Sequence, residues 1–533
     1  MRRIRAVWPG LLCCLALASP AVRAASPAAK PSDEIAALAA RIDKLIDARL
    51  LEDKVPAAPV ADDAEFMRRV YLDLTGRIPT ISEAHAFLRD KAPDKRRKLV
   101  EKLLGSANHV THFTNLWRAD LMAAANSQQA QVFSQQLEPW VRKKLRENTP
   151  YDSMVRELLT TPVAFGRPGP ATGEPTAVAF FQANELKPEN IGASTSRLFL
   201  GIQLQCAQCH NHPFAKWKRE QFWEYAAFFA GVQPQGRNMG AFAAATDAPE
   251  KREIKIPDLE TVVQAKYLDG TEPKWQTDMP TRGTLAGWVT SGENPFFARA
   301  RVNRIWAHLF GLGLVEAVDD FSDDNPPSHP ELLDELAAAF VKSKFDTRFI
   351  IQAICASNAY QRTSAVNDPA QVESPRVFAR MALKGMTAEM LFDSVARATG
   401  FVPPNAGDNP RDANDYNVGR AEFLARFNTP ADKRTEHQTT ILQALSLMNG
   451  RVIDTVTHLE RSRTLAAVID VTDDDRGRLD ALFLATLSRP MTAEEATRYT
   501  KYVRDGGPSG DAKKALADVF WALLNSTEFA LNH

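Results

Sequence analysis

The chain has 533 residues, of which 44% are hydrophobic and 24% charged, so it is long enough for about two to four domains with apolar cores. Its 65 basic residues balance its 65 acidic residues, which argues against nucleic acid or an anionic membrane surface as a partner. Beyond the N-terminal leader, no stretch approaches the roughly 20 apolar residues of a membrane span. We therefore expect a chain without a membrane span.

Residues 1–24 have the three parts of a secretory signal peptide. A basic head is followed by an apolar stretch over residues 6–18 and by a small-residue cleavage pattern that ends at Ala24. We therefore expect export to the periplasm or the extracellular space. Two of the five cysteines lie inside this leader, which leaves Cys206, Cys209 and Cys355 in the mature chain.

Helical periodicity dominates the N-terminal half. Residues 25–60 are predicted to form an Ala- and Pro-rich linker that contains one helix, and residues 61–231 to form an N-terminal helical domain. Thr80 and Glu83 have the spacing of a capping box, which Thr492 and Glu495 repeat near the C-terminus. Helices are predicted at residues 33–53, 64–74, 82–90, 94–104, 111–125 and 220–230, and from Pro188 into the segment described next.

The most distinctive segment contains Cys206, Cys209, His210 and His212. The pattern C-x-x-C-H is typical of covalent haem attachment, in which two thiols add to the vinyl groups of one porphyrin and the adjacent histidine binds the iron. The apolar run at residues 198–204 is expected to form a wall for the ring. The segment therefore predicts haem c at the end of a helix, with His210 as the proximal ligand.

Two other interpretations of these residues stay open. One is a local disulfide between Cys206 and Cys209, which export permits. The other is a metal site such as zinc, in which the two thiols act with His210 or His212, although structural zinc usually has a second pair of ligands. The candidates for a distal haem ligand, among which spacing does not choose, are Met239, Met279, His308 and His329.

The character of the chain changes at residues 232–280, where glycine and proline are frequent and short strands are predicted at 254–256 and 262–268. Residues 281–533 return to helical periodicity and are expected to form a C-terminal helical domain. The predicted fold is mainly α, a multi-helical two-domain protein with a small β-rich insertion. Its C-terminal helices are predicted at 284–290, 295–310, 331–340 (capped by Ser328), 348–359, 387–398, 439–461, 476–487 and 511–524.

An acidic loop precedes one of these helices. It contains Asp319, Asp320, Asp323, Asp324 and, at its end, His329. Calcium prefers closely spaced carboxylates, but the run lacks the glycine and the distal glutamate of an EF-hand loop, so caps and loop hydrogen bonds are the favoured interpretation. Together with His308, the loop is alternatively expected to form a metal or acid/base site of a hydrolase at the domain interface.

Several longer motifs occur in an order that resembles a known family. FMRRVYLDLTGRIPT at residues 66–80 and LQCAQCHNHPF at 204–214 are similar to its first domain. NRIWAHLFG at 303–311, NPPSHPELL at 325–333, residues 440–449 and WALLNSTEF at 521–529 are similar to its second domain. The family comprises secreted proteins abundant in planctomycetes and related bacteria, has two adjoining domains of unknown function and is described as cytochrome-associated.

This resemblance has implications for cofactor and partners. Relatives often carry a further cytochrome c-like module in front, for which this sequence has no room, so any haem is expected on Cys206, Cys209 and His210. Family members commonly occur beside sulfatase-like proteins, which implies such a protein as partner and a role in polysaccharide breakdown. The pair Phe427-Asn428 departs from the Phe-Asp expected in the family, so no catalytic role is assigned to it.

These patterns predict an exported c-type haem-binding protein with an electron-transfer or redox role, supplied by a redox partner. The alternatives are a carbohydrate-active or other hydrolase, and a non-enzymatic partner-binding scaffold with Cys206 and Cys209 in a structural disulfide or metal site. The cofactor is accordingly haem c, or else zinc, calcium or none. Whether the protein is an enzyme stays open at this point.

Overall fold

The architecture comes from a computed structural model of the chain. The predicted signal peptide, His212, Met239, Phe427-Asn428 and, except for Leu459, the helix predicted at 439–461 lie outside the residues that it describes. Within those residues the fold is mainly α-helical, as predicted, and each sheet has two strands. None of the described helices is long and apolar enough to cross a bilayer. The described residues are 31–125, 127–163, 175–211, 215–235, 244–365, 375–401, 420–425, 459 and 462–533.

The N-terminal half is a succession of helices. Three of them, α6, α7 and α8, were not predicted, although Phe133, Leu137, Trp140 and Val141 have helical spacing in α6 and are buried there. The helices are α1 (Pro31–Asp53), α2 (Asp63–Thr75), α3 (Ile81–Arg89), α4 (Lys95–Leu104), α5 (Ala107–Leu121), α6 (Ser127–Arg146), α7 (Tyr151–Thr160), α8 (Val178–Ala183), α9 (Pro188–Thr195) and α10 (Arg219–Ala226).

Short antiparallel hairpins follow α10. Strand β1 (Val232–Gln235) pairs with β2 (Ala244–Asp247), and β3 (Glu253–Lys255) pairs with β4 (Val262–Gln264). They form the small β-rich insertion that the sequence predicted. A further pair, β5 (Lys384–Gly385) with β6 (Leu531–Asn532), joins the C-terminus to the middle of the chain. This last pairing was not predicted, because its strands are too short to have a period.

The C-terminal half is again helical. Its helix α13 begins with Pro330 and has His329, not Ser328, at the N-cap, so the predicted cap is wrong. Proline is favoured at the first helical position because its fixed φ suits the helix. The helices are α11 (Thr281–Val289), α12 (Phe297–Phe310), α13 (Pro330–Lys342), α14 (Thr347–Ala356), α15 (Asn358–Gln361) and α16 (Ala388–Thr399), then Arg463–Val471, Asp475–Leu487, Ala493–Arg504, Ala512–Leu524 and Thr527–Ala530.

Both predicted capping boxes are confirmed. The Thr80 hydroxyl accepts from the Glu83 N–H at 3.1 Å, and the Glu83 carboxylate accepts from the Thr80 N–H at 2.9 Å. Thr492 and Glu495 exchange the same bonds at 3.2 and 2.8 Å. The Arg489 guanidinium, together with the cap, lowers the pKa of Glu495 to about 2. These bonds satisfy amides that the first turn of a helix leaves without partners.

The apolar core has two clusters that meet at α2. Phe66 and Val70 of this helix belong to the larger cluster, which includes side chains from α1 to α14. Leu72 belongs to the smaller cluster, together with Leu391 and Phe520 from the C-terminal part. Burial therefore links the two ends of the chain through α2. The predicted domain boundaries stay a prediction.

The same helix also buries charged side chains. Arg68 is fully buried and donates to the backbone oxygens of Thr486 at 2.9 Å and Phe529 at 2.8 Å. Its neighbour Arg69 donates to the backbone oxygen of Tyr360 at 2.6 Å. Burial lowers the pKa of Arg68 to about 10. Because a buried charge is costly without partners, these bonds hold the C-terminal segment against α2.

The bonds of Arg68 make a first prediction about stability. Replacing Arg68 by methionine leaves two buried backbone oxygens, those of Thr486 and Phe529, without their donor. We expect Arg68→Met to lower the free energy of unfolding, measured by urea denaturation, by about 3 kcal/mol. The matched control is Arg89→Met, because Arg89 is exposed at the end of α3 and its loss should change stability by less than about 0.5 kcal/mol. Equal stability of the two variants would contradict this role of Arg68.

Candidate functional site

The C-x-x-C-H residues lie on a short 3-10 turn and the residues after it, not on an α-helix. After α9 comes a π-helical turn, Ser196–Leu200, which Gly201 ends in a left-handed conformation with φ 69°. Cys206 falls in the 3-10 turn Gln205–Gln208, and Cys209 follows directly. The predicted helix through this segment is therefore wrong, because Gly201 turns the chain before the first cysteine.

Both thiols are presented to solvent from a fixed backbone. Cys206 and Cys209 are exposed and carry free thiols, whereas Ala207 between them is buried. The Trp223 indole of α10 donates to the backbone oxygen of Gln208 at 3.1 Å. The turn is therefore tied to the core on one side and open on the other.

His210 is exposed beside the second thiol. Its Nδ1 lies 2.7 Å from the backbone oxygen of Asn211, so Nδ1–H is assigned as the donor to that carbonyl. The Asn211 side-chain oxygen in turn accepts from the Arg219 N–H at 3.0 Å. The lone pair of His210 is thereby left on Nε2, which is the usual arrangement of an imidazole that binds a metal.

The apolar run before the turn does not form an open wall for a ring. Its side chains pack into the larger core cluster, so this part of the haem expectation is wrong. The two thiols and the imidazole of the turn would thus suit a covalently attached haem. The apolar residues that pack against its ring would have to come from another part of the protein. The buried residues of the run are Leu198, Phe199, Leu200, Ile202 and Leu204.

The acidic loop lies along the segment that leads to the turn. The Phe321 N–H donates to the Gly201 oxygen at 2.9 Å, and its ring fills the space that a side chain at Gly201 would need. The Asp319 carboxylate pairs with Arg197 at 3.1 Å and accepts from the Gln203 amide at 3.2 Å. These bonds agree with the favoured interpretation of the loop, in which its carboxylates make loop hydrogen bonds.

A cleft of about 1440 Å³ opens beside these residues. Side chains of α5, α9, α12 and residues 375–387 line it, and Gln203 and Gln205 extend its wall to the residue before Cys206. Clefts of this kind are where ligands bind in most proteins. The charged and histidine side chains on its wall are Asp73, Asp120, Arg197, Arg301, Arg304, His308, Glu316, Asp319, Arg380 and Lys384.

The structure brings some of the predicted site residues together and separates others. His308 and Asp319 both line the cleft, whereas Asp320 and His329 are not part of its lining. The Nε2 of His308 lies 2.7 Å from the backbone oxygen of Asp73. His329 is buried, and burial lowers its pKa to about 4. A hydrolytic site built from all four predicted residues is therefore not assembled in this arrangement.

The candidate metal ligands are not clustered within the described residues. Among the residues that the structure describes, no three His, Cys, Asp or Glu side chains are grouped so as to hold a metal ion. Asp323 of the acidic loop lies 3.4 Å from Lys216. His212 lies outside the described residues, so a metal site that uses it stays a prediction.

Sequence reasoning missed a buried polar cluster on the cleft wall. The Asp73 carboxylate accepts from Lys384 Nζ at 2.6 Å, from the Asn532 amide at 2.7 Å and from the Tyr360 hydroxyl at 2.8 Å. Burial lowers the pKa of Lys384 in spite of this ion pair, and burial raises the pKa of Tyr360. An aspartate within an apolar stretch of a helix is the signal that could have found this cluster.

Two family models match the chain. Residues 41–234 match PSCyt2, a protein of unknown function (DUF1549). Residues 281–503 match PSD1, a protein of unknown function (DUF1553). The chain carries these two adjoining domains. This confirms the two domains of unknown function that the sequence motifs indicated.

No curated protein and no solved structure matches the chain. The turn with Cys206 and Cys209 belongs to the PSCyt2 region, and α12 with the acidic loop belongs to the PSD1 region. The cleft is therefore lined by residues of both domains.

A buried histidine near the cleft makes stability depend on pH. The Nδ1–H of His109 donates to the backbone oxygen of Leu74 at 3.0 Å. Burial, together with the positive charges of Arg348 and His308, lowers the pKa of His109 from 6.5 to about 4. Between pH 6.5 and about 4, His109 is therefore protonated in the unfolded chain but not in the folded chain. The free energy of unfolding falls as the pH is lowered through this range.

We expect His109→Gln to reduce this pH dependence. Between pH 6.5 and 4 the free energy of unfolding should fall less steeply than in the unsubstituted protein, by up to about 1.4 kcal/mol per pH unit. Urea denaturation at a series of pH values measures this slope. His85→Gln is the control, because His85 is exposed on α3. A slope that is the same in both variants would exclude His109 as the titrating group.

Proposed function

We propose that this protein is an exported c-type haem protein with an electron-transfer or redox role. In this proposal Cys206 and Cys209 hold the porphyrin through thioether bonds, and His210 binds the iron as the proximal ligand. The bound haem would supply one-electron redox chemistry. The observation that carries the proposal is the exposed pair of thiols on one short turn, beside an imidazole that leaves its Nε2 for a metal.

The exposure of the thiols supports this choice of residues. Thioether formation requires both sulfur atoms to reach the porphyrin, and Cys206 and Cys209 are exposed. Cys355 provides the contrast, since it is only 1% exposed and burial raises the pKa of its thiol. A buried, protonated thiol is unreactive, so Cys355 is not suited to the same chemistry.

The anchoring of the turn also supports the proposal. Gln208 and Asn211 are bonded to Trp223 and Arg219 of α10, on either side of the second cysteine and the histidine. These bonds hold the backbone of the turn to α10, and the bond from His210 to the Asn211 oxygen orients the imidazole, which favours a precise cofactor site.

Export fits the same chemistry. The predicted leader would bring the chain to a compartment in which the two thiols are either joined to a cofactor or oxidised. The exposed side of the turn would then be the surface that meets a redox partner. A disulfide between Cys206 and Cys209 is the outcome that competes with haem attachment.

The test is a pyridine haemochrome spectrum of protein exported from a host that has the haem c maturation machinery. We expect haem that stays on the chain in a denaturing gel and disappears in the double variant Cys206→Ser and Cys209→Ser. The thioether bonds are covalent, so heating in detergent should not release the haem.

Cys355→Ala is the matched control, because it removes a thiol that is buried away from the turn. This variant should keep its covalent haem. Haem-free protein from a host that loads a reference cytochrome c would refute the proposal, and a free-thiol count would then show whether Cys206 and Cys209 form a disulfide.

A further inference from the structure

Most positive charges on the cleft wall are matched by a nearby carboxylate. Lys384 lies 2.6 Å from Asp73, and Arg197 lies 3.1 Å from Asp319. Arg304 is 3.8 Å from Asp319 and also 3.8 Å from Asp120 of α5. Opposite charges at such distances stabilise each other where the surroundings contain little water. These pairs are part of the frame of the cleft.

Arg301 differs from these residues. In the described part of the chain it makes no hydrogen bond or ion pair, and its Nε is buried without a partner. Its guanidinium carbon instead lies 5.1 Å from the centre of the Trp117 ring and 4.8 Å from that of Tyr151. Burial lowers the pKa of Arg301. Arg301 as a whole is only partly buried, and aromatic faces offset only part of the cost of burying its Nε, so the guanidinium can still gain from an anionic partner.

We propose that the cleft binds an organic anion, and that Arg301 pairs with its carboxylate, sulfate or phosphate group. A guanidinium offers planar, paired N–H donors that match such groups. The two aromatic rings hold the Arg301 side chain in place before the anion arrives. This arrangement lowers the entropic cost of binding.

The remainder of the cleft suits the uncharged part of such a ligand. Its volume of about 1440 Å³ exceeds the roughly 300–1,000 Å³ of sites for drug-sized molecules. Asn190 and Gln205 contribute neutral amides to the wall, and Leu116 and Leu312 contribute apolar surface. The ligand is therefore expected to be larger than the anionic group alone.

The effect of replacing Arg301 on the melting temperature distinguishes a binding role from a structural one. A structural arginine stabilises the fold, so its loss lowers the melting temperature. An arginine that serves binding destabilises the unliganded protein. Its replacement by an uncharged side chain of similar length therefore does not lower the stability. We therefore expect Arg301→Met to melt at the temperature of the unsubstituted protein or above it, when no multivalent anion is present.

The experiment is a series of thermal melts in sodium sulfate, phosphate and acetate, each against sodium chloride of equal ionic strength. A bound anion raises the melting temperature of the native state in a concentration-dependent way. We expect Arg301→Met to lose the site-specific part of this shift, with apparent affinity weakened about tenfold or more. Arg299→Met is the matched control, since Arg299 is on the same helix but its side chain is 42% exposed and is paired with Asp334 at 2.6 Å.

Two results would overturn the proposal. One is an anion-dependent shift of equal size in Arg301→Met and in the unsubstituted protein, because salts such as sulfate stabilise proteins generally. The other is an Arg301→Met protein that melts well below the Arg299→Met control without anions, which would show that Arg301 has a structural role.

The carboxylate can come from two sources, a soluble ligand or the propionate of a haem on Cys206 and Cys209. The melts are therefore run on haem-loaded protein and on the Cys206→Ser, Cys209→Ser variant. A response in both forms indicates a soluble ligand, whereas a response in the haem-free form alone indicates that a propionate occupies Arg301. The haem-free melts do not depend on haem attachment, so the failure of one proposal leaves the other testable.

Discussion

The structure depends on a helix that is buried on all sides and nevertheless carries charge. Arg68, Arg69 and Asp73 of α2 are each at most 2% exposed. An enclosed charge must find polar partners, and here several of these partners come from the far end of the chain. The backbone oxygen of Phe529 and the amide of Asn532 therefore have to lie against α2. Specific polar contacts thus fix where the C-terminus lies, and apolar burial alone would leave its position less defined.

The same requirement shapes the cleft. Asp73 is both a partner of Lys384 and a residue of the cleft wall, so the buried cluster that joins distant segments also supports one side of the site. On another side, Asp319 holds the acidic loop to Arg197. The loop then packs Phe321 against Gly201, which precedes the turn with the thiols. The cleft and the turn are therefore held together by the same contacts, although a different ligand is proposed for each.

Structural features that depend on residues only a few positions apart were predictable from the sequence. The helical stripe of α1 and the capping box of Thr80 and Glu83 involve neighbours a few residues apart, and both occur as predicted. Two of the errors share one physical cause, namely that more than one local structure satisfied the pattern. Residues 198–204 are apolar enough for a helix, yet most of their side chains are buried from a π-helical turn and the irregular segment that follows it. Likewise Ser328 is a good cap residue in isolation, but Pro330 determined where α13 begins.

The sequence by itself determined the mainly helical fold class, the hairpin insertion and the presence of two thiols beside an imidazole, since each follows from composition or from spacing within a few residues. Only the tertiary structure decided which polar and charged groups meet. Asp73 and Asn532 are separated by 459 positions, and Asp319 and Arg197 by 122. Such pairings depend on the path of the whole chain between them, which local periodicity does not encode. For the same reason, no sequence pattern distinguished Arg301 from its neighbours, because what sets it apart is the lack of a partner within the described structure.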